Sequence, residues 1–168
     1  MGILSGNPKD EPMHYGEVYG LWTFLLILKG FNSVYQLYIN HAGDKDLRKF
    51  LEDLLKGIHQ HSEQVTEILK ENGVELPPSP PDQPKVALES IPAGARIIDP
   101  QIAANLTADV AGCLVACSQV MGCSVREDIA MRFAEVHTDF AQYGLRLLRI
   151  TKAKGWLVAP PLHRNQPG

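Results

Sequence analysis

The placement of proline constrains this chain most. All twelve prolines fall outside two spans, residues 13–76 and 101–159. Proline inside a helix removes a backbone hydrogen bond and clashes with the preceding turn, at a cost of about 3 kcal/mol or more. Two long proline-free blocks therefore predict two helical hairpins. At 168 residues the chain has the length of one domain.

The punctuation within and between the blocks sets the expected elements. Asp10 or Glu11 before Pro12 reads as an acidic cap with proline at the first helical position. A first helix over about 12–40 carries Leu21, Phe24, Leu28, Phe31, Tyr35 and Tyr38 at three- and four-residue steps. Residues 1–11 read as a loose lead-in. Gly43 suits a left-handed position after the helix, and Asp44 caps a second helix over about 45–72, which Gly73 ends. Six prolines then fall within residues 74–98. Extended at about 3.1 Å per residue, such a segment reaches roughly 75 Å, while a 28-residue helix is only about 42 Å long. The linker can thus cross the whole bundle; the alternative is a hinge between swapped hairpins. Asp99-Pro100 repeats the acidic start for a helix over about 101–122. Ser124 and Glu127 read as a capping box for a last helix over about 125–153, stopped by Gly155. Glycines inside the helices read as points of close approach. The expected fold class is all-α, a single ferritin-like four-helix bundle with a long proline-rich crossover.

Bulk charge narrows the function. With 16 basic and 19 acidic residues and a net charge of −3, the chain has no basic footprint for nucleic acid. The longest dense apolar run, Leu21 to Leu28, is far short of the roughly 20 residues of a membrane span. The N-terminus shows no secretory pattern. Three cysteines without an export signal read as reduced thiols in a cytoplasmic protein.

The informative residues are the polar ones on the apolar stripes: Glu17, His61, Asp109 and His137, one per helix. A buried carboxylate must be paired, neutralised or metal-bound. With helices 1 and 4 running up and 2 and 3 down, His61, Asp109 and His137 fall within roughly 7 Å of one level, and Glu17 about 12 Å lower. Histidine with carboxylate suits a transition metal such as iron or zinc. The Glu-x-x-His pairs of a di-iron bundle are absent from the core helices. Two readings stay open: a reduced metal site, or a hydrogen-bonded network that fixes helix register. Cys113 and Cys117 read as small buried hydrophobes, and Arg126 to Asp128 as a solvated first turn. Trp22, Phe24 and Tyr143 could line a small-ligand pocket.

Glu17-Val-Tyr-Gly-Leu21-Trp22, Leu106-Thr-Ala-Asp109, Arg126-Glu-Asp128-Ile129 and Lys154-Gly155-Trp-Leu-Val-Ala-Pro160-Pro161 together resemble a bacterial family found mainly in spore-forming bacilli. Some members are labelled spore-coat-like. The resemblance covers nearly the whole chain and implies a ferritin-like bundle, with Glu17, His61 and Asp109 at family-pattern positions. It implies no activity. The expected function is that of a non-enzymatic structural or interaction protein, spore-associated, forming homo-oligomers or meeting a spore-coat partner. The alternative is a metal-binding bundle with His61, Asp109, His137 and Glu17 as ligands.

Overall fold

The computed structural model describes residues 10–163. Four helices run in the order α1 (Tyr15–His41), α2 (Lys45–Glu71), α3 (Asp99–Cys123) and α4 (Glu127–Ala153). There is no strand among the described residues. Helix α1 packs on α2 and α3, and α4 packs on α3 and α2. With α1 and α4 running up and α2 and α3 down, every neighbouring pair is antiparallel.

The crossover makes this topology. It climbs along the length of α1, held by side chains that face it. Trp22 donates to the Glu75 carbonyl, Ser33 to that of Pro81, and Asn40 to that of Pro84. The Gln83 amide donates to Gln36, and the Ile97 amide to His41 Nδ1. A segment rich in proline has few backbone donors to satisfy, so its carbonyls take side-chain partners. The linker thus lies along the α1 helix of its own hairpin.

The core is continuous from Leu21, Phe24 and Leu28 on α1 to Ile129, Phe133 and Phe140 on α4. Phe24 meets Phe133 and Phe140 edge-on, with ring centroids 5.1 and 6.5 Å apart. Tyr143 packs edge-on against Phe50, and Trp22 turns outward to the crossover. These aromatics are therefore packing residues, and the expected ligand pocket among them does not form. Cys113 and Cys117 are buried as expected. Burial pushes the Cys117 thiol up to about 12, so it stays protonated.

Several helix ends differ from expectation. Helix α1 starts at Tyr15, three residues after Pro12, because His14 is extended and makes a capping box with Glu17. Gly43 has no positive φ; only Gly73 and Gly155 do among the described residues, each where a helix stops. Helix α3 takes in Asp99 and Pro100, with Ile98 as its cap residue. Ser124 does not cap α4: its hydroxyl donates back to the Val120 carbonyl. Glycines act as approach points at Gly57, which lies under the Tyr143 ring, and at Gly20 and Gly144. Gly30, Gly112 and Gly122 face open space.

Candidate functional site

The four polar stripe residues do not converge. Glu17 is buried at the lower end of the bundle. Its Oε2 accepts from the His14 amide at 3.1 Å, completing the α1 cap. Its Oε1 accepts from the Val125 and Arg126 amides at 2.9 and 3.0 Å, at the start of α4. One carboxylate thus sits at the N-termini of two helices, where both macrodipoles favour negative charge. His14 extends the join. Its Nδ1 accepts from the Gly16 amide, so the ring proton lies on Nε2, which donates to the Cys123 carbonyl at 2.9 Å.

Arg126, expected in a solvated turn, is the largest fully buried side chain among the described residues. Its guanidinium grips Asp128 with two bonds, of 3.0 and 2.7 Å. It also donates to Asn72 Oδ1 at the end of α2 and to the Glu11 carbonyl. The planar fork suits such a multidentate role. The arginine holds the Asp128 carboxyl below its ordinary range. A signal was present in the sequence: Arg126 stands three residues before Ile129 and seven before Phe133, in line with the buried stripe of α4.

The upper end is fastened in the same manner. Asp99 accepts from the Gly43 and Asp44 amides at 2.9 and 3.1 Å. Lys154 reaches Asp44 and Asp46 at 2.7 Å each, joining the end of α4 to the start of α2.

His61 is buried on α2 as expected, with its ring centroid 6.0 Å from that of Phe140. Its Nε2 lies 3.3 Å from Asp139 Oδ2, an ion-pair distance, yet outside hydrogen-bonding geometry, so this buried nitrogen has no bonded partner. Asp109 is half-buried on the flank of α3 that faces α1. It accepts from the Tyr35 hydroxyl at 3.2 Å. Burial raises its carboxyl, and the Tyr35 bond opposes this. His137 is also half-buried. The buried step on α4 runs Phe133, Val136, Phe140, and on α3 Leu106, Val110, Cys113. The stripes therefore turn one residue away from His137 and Asp109.

Among the described residues no three His, Cys, Asp or Glu side chains are grouped so as to hold a metal ion. A di-iron bundle projects carboxylates and histidines inward from four helices. Here Phe24, Phe133 and Phe140 meet between the helices, and both Glu17 oxygens have backbone partners. The residues present do not fit a dinuclear centre.

A cleft of about 800 Å³ lies between the crossover and the α1–α2 groove, with Ile39, Leu55 and Val86 among its apolar walls. Every residue that fastens the crossover beside it belongs to α1; none of the bonds described above comes from α2.

The fold and its fastened ends define a ferritin-like helical bundle. The chain belongs to the family described as "Protein of unknown function (DUF3231)", whose model matches residues 1–167. It is similar to "Uncharacterized protein YvdQ" of Bacillus subtilis, 52% identical over 163 residues, covering 97% of this chain and 96% of that one. It is also similar to a solved structure from Bacillus halodurans described as a "putative spore coat protein". That match has a TM-score of 0.92 and 46% identity, covering 95% of this chain and all of the other. A two-domain protein of Anabaena variabilis with DJ-1/ThiJ/PfpI-like and ferritin-like domains matches at a TM-score of 0.66 and 15% identity. It covers 98% of this chain and 42% of that one, a likeness of fold alone.

Proposed function

We propose that this protein is a non-enzymatic structural component of the bacterial spore, a bundle whose polar residues serve its own architecture. The observation that carries this reading is the fate of Glu17. It is the most buried carboxylate on the stripes, and its oxygens close the starts of α1 and α4 rather than facing a cavity. The packing of Phe24, Phe133 and Phe140 agrees with it, as does the spore-coat description of the Bacillus halodurans relative. The test is fractionation of sporulating cells that carry a tagged copy. The protein is expected in the coat extract of mature spores. Recovery from the mother-cell cytoplasm alone would overturn the proposal.

A reduced metal site is the competing reading, favoured by the unbonded Nε2 of buried His61 beside Asp139. Two protein ligands fall below the three or four of ordinary zinc sites. Protein purified without chelator and then loaded with iron or zinc should hold less than about a tenth of an equivalent on the structural reading. Near-stoichiometric metal that is lost in His61→Ala would establish the competing one.

A further inference from the structure

The charge of the four helices lies on one side. Helix α2 carries eleven Asp, Glu, Lys and Arg residues and α4 carries eight, whereas α1 and α3 carry two each. None of those four is free on the outer face. Glu17 is buried, Asp109 is bonded to Tyr35, Asp99 caps the upper turn, and Lys29 donates to the Pro77 carbonyl. Helices α1 and α3 are neighbours, so their outward surfaces form one uncharged face. On α1 it presents Tyr19, Leu26, Val34 and Leu37, all exposed. On α3 it is slim, with Ala108 and Gly112 exposed and Val115 at 68% exposure.

We infer that this face is a homodimer interface, in which a second copy of the chain covers it. The inference deepens the structural reading above by naming the surface through which the bundle assembles. Size supports it. Two helices about 40 Å long, packed 8–10 Å apart, present a footprint of about 800 Å². That equals the roughly 800 Å² per partner of a standard stable interface. Shape identifies the occupant. The face is ridged on α1 and flat on α3, so it complements itself. A two-fold axis parallel to the helices lays each α1 on the partner's α3, antiparallel, with large side chains against small ones. Such an isologous contact uses one patch twice and closes. Charge disfavours other occupants: an acidic or basic partner would meet no counter-charge. A membrane-surface helix carries Lys and Arg beside its apolar face, and the single such residue on α1 and α3, Lys29, is turned to the Pro77 carbonyl.

The test is sedimentation equilibrium of the full chain between about 1 and 100 µM, a range over which mass action separates dimer from monomer. The expected mass is twice the 18.6 kDa of the chain. Gly112→Arg and Val115→Arg place a charge at the centre of the face. Each should weaken the dimer at least about 100-fold, since an unpaired charge buried at an interface is costly. Gly112 has open space beside it, and arginine is the better helix former, so circular dichroism should show unchanged helix content. Glu67→Arg, exposed on α2, should leave the dimer intact. A wild-type monomer throughout the range overturns the inference. So does a dimer that survives both α3 substitutions, or a monomer that sediments with phosphatidylglycerol vesicles. These outcomes leave the spore-fractionation and metal tests untouched, so the two readings fail separately.

Discussion

Replacing Glu17 by alanine tests whether this carboxylate is an architectural cap or a ligand. The native group accepts three backbone N–H bonds, from His14, Val125 and Arg126. A hydrogen bond to a charged acceptor contributes about 1.5–3 kcal/mol, and a buried donor left alone costs about 1–3 kcal/mol. The three share one acceptor group and are not additive, and the half-exposed His14 and Val125 amides can recover water. A net loss of about 3–5 kcal/mol follows, against a total stability of about 5–15 kcal/mol. For a chain of this size that lowers Tm by roughly 6–20 °C. Glu17→Gln keeps one acceptor and turns an NH2 toward a backbone donor, so it should lose about half as much. The assay is urea unfolding at fixed protein concentration, followed by circular dichroism and by the fluorescence of Trp22 and Trp156. A metal ligand behaves in the opposite way, because removing one of several clustered carboxylates relieves repulsion in the metal-free protein. A Glu17→Ala protein within about 1 kcal/mol of wild type would refute the capping argument.

Other substitutions read the remaining contacts. Arg126→Lys should cost about 3 kcal/mol in denaturant unfolding, because an ammonium cannot reach Asp128, Asn72 and Glu11 together. Asp128 is held low by Arg126. Its contribution is therefore present above the ordinary carboxylate range and lost as pH falls through its depressed value, below about pH 4. An acid titration of Asp128→Asn should show lower stability at neutral pH and a shallower fall below that point. Asp109 has the opposite sign, since burial raises it. Its contribution is full when protonated and lost as pH rises through the raised value. Asp109→Asn, which still accepts from Tyr35, should match or exceed wild-type stability at pH 7, within about 1 kcal/mol, in the same unfolding assay. Gly57→Ala should destabilise because a Cβ meets the Tyr143 hydroxyl and ring. Gly122→Ala, in open space, should gain up to about 1 kcal/mol from helix propensity. Thermal melts of the pair separate packing from propensity.

Proline position, apolar periodicity and the Gly73 and Gly155 stops are local signals. They were enough to place four helices, their directions and the crossover in the sequence. Each follows from backbone chemistry within a few residues, whatever surrounds it. The segments that carry the family resemblance are legible too, and Glu17, Asp109, Arg126 and Lys154 within them all make contacts between elements. What those residues do was decided by tertiary structure. Glu17 and His61 are buried, as their stripe positions predict. Asp109 and His137 are only half-buried, because a 3.6-residue period leaves two candidate positions per turn, and neighbouring helices select Val110 and Val136. The segment entering α4 is held by Glu17, more than a hundred residues away in sequence, through the Val125 and Arg126 amides, and the local Ser124 box does not form. A buried donor takes the acceptor that folding brings to it, and no spacing in the sequence encodes that choice.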